Sequence, residues 1–334
     1  MTDGTILALG EALVEFMPPH KDTSMRGAQN WQRYAGGGPA TYAAAVMRCG
    51  GKSSLLTRVG VDPLSDFMIG SLLAEGVDVT AIQHIEGRQI GLCFHECIKG
   101  QSRLIFHRHD SAATTMTPED IDLQKLSTAA ALHVPGTTLQ ISPSASDTCM
   151  AAISAARTAG VPVSFDPNIR SIHRPGQPLD EALTTTLGAF EEALATADVV
   201  TPTLEEALAI TGKGDATSAA RELRSMGPGF VVITLAAEGC LILTQADVHP
   251  VYCPGYEVDV VEPTGAGDCH AAATMVGFLS GWDPARIGAF ANAAGAIAVT
   301  AMGHFGQALP TLERMQGLID AGASSAPPRQ PLGL

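Results

Sequence analysis

Apolar positions recur with two different periods along this 334-residue chain, and the change falls near residue 117. Residues 5–9 (TILAL) form a short apolar run of the kind a buried strand shows. The mixed stretch 11–34, interrupted by Pro18-Pro19, reads as an excursion from the core. Gly36-Gly37-Gly38-Pro39 then leads into ATYAAAVMRCG, a predicted helix that ends at Gly50-Gly51. Residues 53–59 predict a strand and 66–75 a helix closed by Gly76. Residues 88–109 lack helical period and alternate instead, with IKGQS (98–102) as the turn between two strands. Together with 11–34 these strands predict a small sheet separate from the main one.

After residue 117 strands and helices alternate. ALHVPG, VPVSFDPN, DVVTPT and FVVITLA read as strands. Between them SASDTCMAAISAARTAG, DEALTTTLGAFEEALATA (180–197), LEEALAITG and SAARELRSMG read as helices. Residues 239–244 and 248–252 predict a strand pair, and helices are expected after Gly265 and over 285–302. Such alternation predicts an α/β fold with a mostly parallel central sheet covered by helices on both faces. Ligands of open sheets of this kind bind beyond the C-terminal ends of the strands. The chain reads as one domain over residues 1–320, with the small sheet of 11–34 and 88–110 inserted in it. The Pro/Ser-rich segment 321–334 is expected to be a flexible tail.

Composition narrows the partners. Charged residues make up 16% of the chain and aromatic residues 5%, with alanine and glycine abundant, which suits helices packed closely on a sheet. A net charge of −14 argues against nucleic acid and anionic membrane as partners, since both require a positive surface. No run of about 18 apolar residues predicts a spanning helix. The acidic N-terminus does not resemble a secretory signal. Seven scattered cysteines point to reduced thiols and a cytoplasmic setting. The run Cys93-Phe94-His95-Glu96-Cys97 has potential metal ligands at alternate positions. A strand places the same three residues on one face without any metal. No second ligand pair with zinc spacing accompanies them, so the strand reading is preferred.

The stretch Glu262-Pro263-Thr264-Gly265-Ala266-Gly267-Asp268, followed by an alanine-rich helix, carries the most specific chemistry. Unobstructed amides at a helix start converge on an anion. Asp268 in the same turn can take the proton of an attacking hydroxyl. Anion hole and base within four residues are what phosphoryl transfer requires. Competing motifs fail. Gly51-Lys52-Ser53 ends like a Walker loop, but Val46 stands where a glycine is needed, and the order is helix then strand. Gly36-Gly37-Gly38 has Thr41 where a dinucleotide fingerprint ends in glycine, and neither HExxH nor GxSxG occurs.

Glu262–Asp268 resembles the second signature, DTxGAGD, of the ribokinase-like (PfkB-type) carbohydrate kinases. Gly36-Gly37-Gly38-Pro39-Ala40-Thr41 resembles their first signature, and Asp166-Pro167-Asn168-Ile169-Arg170 the DPNxR stretch of their sugar-acid and fructose branches. The resemblance spans roughly residues 5 to 312. It implies a ribokinase-like core with a β-sheet lid, ATP and Mg2+ as cosubstrate and cofactor, and Asp268 as the base. The amides of Gly265, Ala266 and Gly267 would form the anion hole. Glu15, Gly36, Gly37, Thr41, Arg108 and Arg170 would line the substrate site. Asn168, Thr234, Gly239 and Asn292 would serve the nucleotide, and Glu206 the metal through water. Thr41, Thr203, Ala236 and the pair Glu262-Pro263 depart from the family pattern, where asparagine, asparagine, glycine and Asp-Thr are usual.

The acceptor implied is a small sugar or sugar acid. Arg108 and Arg170 could hold a carboxylate bidentately, and LHVPGTTLQISPSASD resembles the 2-keto-3-deoxygluconate kinases. That acid is the favoured substrate, with a ketohexose such as fructose or tagatose as the alternative. Cys93 and Phe106 replace tyrosines frequent in the sugar-acid branch, with His95 or His107 as possible substitutes. A nucleoside kinase and a non-catalytic sugar-binding protein are the remaining readings. Pairing of lids into a homo-oligomer is expected, because the lid sheet has edges and a face to cover.

Overall fold

The computed structural model describes residues 4–169, 187–323 and 332–333. Among these residues the main sheet has nine strands. Their order is β13 (Val251–Pro254), β12 (Gly239–Thr244), β11 (Phe230–Thr234), β10 (Val199–Val200), β9 (Val163–Asp166), β8 (Ala131–Pro135), β1 (Thr5–Leu9), β4 (Lys52–Gly60) and β5 (Ile82–Ile85). Strands from β11 to β5 run parallel, while β12 and β13 are antiparallel at the edge.

Alternate side chains of these strands feed two cores, one on each face. Ile6, Ala8, Leu55, Val232 and Ile242 pack beneath α1 (Gly38–Arg48), α9 (Ala266–Leu279) and α10 (Pro284–Ala298). Leu7, Leu9, Leu56, Val231 and Leu241 pack beneath α5 (Pro143–Ala159), α6 (Leu187–Thr196) and α8 (Ala216–Met226). The contact faces of α1 and α9 are mostly alanine: Ala43, Ala44, Ala45, Ala271, Ala272 and Ala273 are all buried. Small side chains allow the two helices to approach each other and the sheet, so the alanine-rich composition has its structural use here.

Some boundaries differ from those predicted. Helix α2 (Pro63–Ala74) starts three residues early because Asp62 accepts from the amides of Leu64 and Ser65 and Pro63 occupies the first turn. Strand β13 begins at Val251 instead of residue 248. Asp247 Oδ2 accepts from the Thr244 amide and hydroxyl, and Arg224 donates to its carbonyl, so the reversal absorbs the residues expected to pair. The strand in DVVTPT shrinks to two residues ahead of Pro202, which has no amide proton to donate. Helix α10 stops at Ala298, and the carbonyl of Val299 accepts the amides of Val261 and Glu262. Of the helix predicted over 180–197, residues 180–186 lie outside the described residues.

The second sheet has the order β3 (Gln32–Gly36), β2 (Leu13–Met17), β6 (Gly91–Ile98), β7 (Gln101–His107). Strands β2 and β6 pair in parallel, the other neighbours antiparallel. Gly91, Cys93, His95 and Cys97 of β6 are buried and the residues between them half-buried, the alternation expected of this strand. Lys99 and Gly100 both adopt positive φ, as a two-residue hairpin turn demands. On the other side of the sheet Phe94 stacks on Phe16, with ring centroids 5.5 Å apart, and takes the edge of Trp31. The seven cysteines are unpaired and buried. Among the described residues no helix is long and apolar enough to cross a membrane. In the segment expected to be a tail, Leu332 is buried and its carbonyl accepts the Thr217 amide at 3.0 Å.

Candidate active site

Gly265 begins helix α9 at φ +85°, a conformation in which L side chains are strained. No side chain caps this helix. The amide of Ala266 leans on the Pro263 carbonyl at 3.4 Å, while those of Gly265 and Gly267 meet no acceptor among the described residues. Such unsatisfied donors at the positive end of a helix suit an anion. Asp268 is buried in the same first turn. The preceding loop is held by Glu262, which is fully buried. Its Oε1 accepts from the Thr264 amide (2.9 Å) and from the Ser102 hydroxyl of β7 (3.3 Å).

The three sequence-distant motifs meet around Asp268. A Cβ on Gly38 would lie 2.9 Å from Asp268 Oδ1, so glycine at this position keeps the approach to the carboxylate open. Asn168, at φ +37°, places its Nδ2 3.4 Å from the same oxygen, and its own amide donates to Asp166. Expected at the nucleotide, Asn168 thus stands beside Asp268. Gly37 and Thr41 line the cavity, and Gly36 packs directly on Glu15.

The small sheet supplies the opposite wall through Leu104 and Phe106 of β7 and Arg108 just beyond its end, alternate residues along the chain. Arg108 is buried, lies 4.1 Å over the Phe106 ring, and pairs through Nη1 with Oε2 of Glu11. Among the described residues Arg108 Nη2 and Glu11 Oε1 have no hydrogen-bond partner. Arg170, the other half of the expected carboxylate clamp, lies outside the described residues. His107 is exposed and packs against Phe94, away from the cavity. His95 is buried behind the wall, between Glu15 and Glu262. Neither histidine takes the place of a cavity tyrosine.

Two cavity residues carry no motif. Glu11 directly follows Gly10 at the end of β1, and an acidic residue at a strand C-terminus was the one available signal. His304 comes from the irregular loop after α10. Its Nε2 lies 2.7 Å from Oε2 of buried Glu15. Burial would lower the His304 pKa, but Glu15, helped by Glu262 and Asp268, raises it to about 9. Burial would raise that of Glu15, yet His304 and His95 hold it well below the usual carboxylate range. The ligand atoms of Glu15, His95 and His304 lie within 4.8 Å of one another, near enough to face one cation. The 2.7 Å contact is the length of a charge-assisted hydrogen bond, and we assign a proton to it.

A second group of candidates lies along the strand ends toward β13. The Thr234 amide donates to Pro202, and Gly239, at φ +102°, packs against the Cys253 carbonyl with no room for a Cβ. Asn292 is buried. Its Nδ2 donates to the carbonyls of Cys253 and Pro254, and its Oδ1 meets His270 Nε2 at 3.1 Å. Its amide therefore anchors the strand edge. Glu206 closes a capping box with Thr203, and its Oε1 accepts from the Ile169 amide at 2.7 Å. Exposed Ala236 sits at φ +52°, where a left-handed conformation costs roughly 1–2 kcal/mol for any residue with a Cβ. Ala236→Gly should therefore raise stability by about 0.5–1 kcal/mol after the greater chain entropy of glycine is counted. Denaturant titration of the two proteins measures the difference, and a less stable glycine variant would contradict the strain.

The family model described as pfkB family carbohydrate kinase matches residues 3–311. A 2-dehydro-3-deoxygluconokinase of Thermoproteus tenax is 30% identical over 95% of this chain and 94% of its own length. A fructokinase of Klebsiella pneumoniae is 32% identical, over 94% and 99%. The crystal structure of a ribokinase II candidate from E. coli, in complex with ATP and Mg2+, superimposes with a TM-score of 0.85 at 26% identity. That match covers 95% of this chain and 99% of the other.

Proposed function

The chain belongs to the pfkB family of carbohydrate kinases, and from that premise we propose that it transfers the γ-phosphoryl group of ATP to a primary hydroxyl of a ketohexose or a close polyol relative. In this reading Asp268 takes the proton of the acceptor hydroxyl. The freed oxygen bonds to the γ-phosphorus as the bond from phosphorus to the β–γ bridging oxygen breaks, and ADP departs with that electron pair. The Gly265 and Gly267 amides receive the charge on the group in transfer. The small sheet serves as the lid that excludes water.

Mg2+ fits Glu206 only through water. Its Oε2 already accepts from the Thr203 amide and hydroxyl and its Oε1 from Ile169, leaving one lone pair. An ion held there would supply charge neutralisation at the phosphates. Thr234 and Gly239 would border the nucleotide, with Asn292 anchoring the edge behind it.

The neutral sugar is favoured by one observation: an unpartnered acceptor, Glu11 Oε1, accompanies an unpartnered donor, Arg108 Nη2. A hydroxyl and a carbonyl, or two hydroxyls, satisfy both. A carboxylate on Nη2 offers acceptors alone, so an acid must also bring one of its hydroxyls to Oε1, whereas any adjacent pair of groups on a neutral sugar serves both. Moreover, Arg108 is balanced by Glu11 and His304 by Glu15, so neither cation is in excess for a carboxylate. The second reading, a 2-keto-3-deoxy sugar acid, is favoured by Nη2 itself and by the Thermoproteus relative. ADP release with Mg-ATP across ketohexoses, keto-deoxy acids and nucleosides tests both. Turnover on fructose or tagatose above that on the acids is expected. Selective turnover of an acid would restore Arg108 to carboxylate binding, and selective turnover of a nucleoside would remove both readings. The aromatic face of Phe16, Trp31 and Phe94 on the outer side of the lid is where a second copy would pair.

A further inference from the structure

His304 stands in no motif, yet it lies beside the start of α9 with one ring nitrogen committed and the other unused. We propose that His304 is a catalytic residue whose Nδ1–H donates to the oxyanion of the phosphoryl group in transfer, while Glu15 fixes the ring. The proposal rests on the kinase reading of Asp268 and deepens it.

The geometry points to a donor. His304 is 3% exposed and lines the cavity with Asp268, Thr264 and Thr41. Its Nε2–H is held by Glu15 Oε2 at 2.7 Å, which fixes that proton and the plane of the ring. Its Nδ1 has no partner among the described residues and lies 2.9 Å from the place a Cβ would take on Gly265. A buried polar atom without a partner costs roughly 1–3 kcal/mol, so a position kept this way is explained by a ligand that completes it. The neighbours specify which ligand. The ring abuts the positive end of a helix whose first amides are unsatisfied, the kind of helix end at which an anion is bound.

Among the described residues the charged groups facing the ring are Glu15 from β2, His95 from β6, Glu262 from the loop before α9, and Asp268 from α9 itself. Three carboxylates against two imidazoles raise the His304 pKa to about 9, which keeps the ring cationic near neutral pH. With Nε2–H already given to Glu15, protonation means that Nδ1 carries a hydrogen and can only donate. Above a pH of about 9 it becomes an acceptor, and its lone pair would then oppose a phosphoryl oxygen.

Two isosteric substitutions separate donation from positioning. His304→Gln keeps an N–H near Nε2 for Glu15 and loses Nδ1; His304→Asn keeps a donor near Nδ1 and loses the Glu15 contact. Loss of one oxyanion donor lowers kcat by roughly 10²–10³-fold. That loss is expected in His304→Gln with sugar KM and ADP affinity nearly unchanged, and partial recovery is expected in His304→Asn. Wild-type kcat should fall as pH rises through about 9, and His304→Gln should lack that limb. Binding of Mg-ADP with aluminium fluoride, a mimic of the group in transfer, should weaken in His304→Gln while ADP alone binds as before. This titration needs no turnover, so it reads His304 independently of whether any sugar in the panel is accepted. Near-normal kcat and analogue binding in a folded His304→Gln, or a change confined to sugar KM, would overturn the proposal. So would a stoichiometric divalent ion in the purified protein, since Nε2 would then be its ligand.

Discussion

Asp268→Asn is expected to lower kcat by roughly 10²–10⁴-fold, the usual loss for a general base, with ADP and ATP affinity largely kept. The substitution is isosteric, so the first turn of α9 retains its packing beside Gly38 and Asn168. It removes one acidic group from a helix N-terminus, where such a group contributes about 0.3–1 kcal/mol. That small change in stability cannot account for a large loss of turnover. Coupled ADP release against a nucleotide titration separates the two effects. Turnover within about tenfold of wild type would remove Asp268 from the base role. A parallel loss of nucleotide affinity would instead mean that the carboxylate organises the anion hole. Asp268→Ala is the poorer test, because it also opens space against Gly38 and frees Asn168.

The elements that build this site were legible to different degrees, and the difference has a physical cause. Strands β1, β8, β9 and β11 are covered on both faces, so their apolar runs stand out without any tertiary knowledge. The loops that follow β1 and β9 end at one edge of a parallel sheet. Residues as distant as Gly38, Asn168 and Asp268 therefore meet once the strand order is set. The α9 start was legible for a different reason: Gly265-Ala266-Gly267-Asp268 places bare amides and a carboxylate in the order of the family's second signature. What escaped is pairwise and non-local. The contact of Glu15 with His304 spans 289 residues, and His304 sits in a loop with no periodicity to mark it. The partner of Arg108 is Glu11, 97 residues away, and that pairing altered the substrate reading from acid toward neutral sugar. Local turn chemistry also escaped where one side chain decided the outcome, as Asp247 did for the start of β13.

Gly265→Ala should be the most damaging conservative change at the site, and its cause differs from that of neighbouring Gly267. At φ +85° an alanine costs roughly 1–2 kcal/mol of backbone strain. Its Cβ would also lie 2.9 Å from His304 Nδ1 and 3.6 Å from Thr41 Cγ2. The first separation is one that real Cβ atoms do not show, so either the ring or the helix start must move. Movement of the ring breaks the Glu15 contact, and movement of the turn redirects the amides of residues 265–267; both degrade charge stabilisation. A loss in kcat of roughly 10²–10³-fold follows. Gly267 has negative φ, and a Cβ there meets nothing within 4 Å. Gly267→Ala should therefore melt at or slightly above the wild-type temperature, since alanine has less chain entropy to lose, and any loss of its turnover measures how closely a bound phosphate approaches that Cβ. Thermal melts and ADP release on both variants decide the matter. A Gly265→Ala protein as stable and active as wild type would show that neither the left-handed turn nor the His304 ring constrains the anion hole.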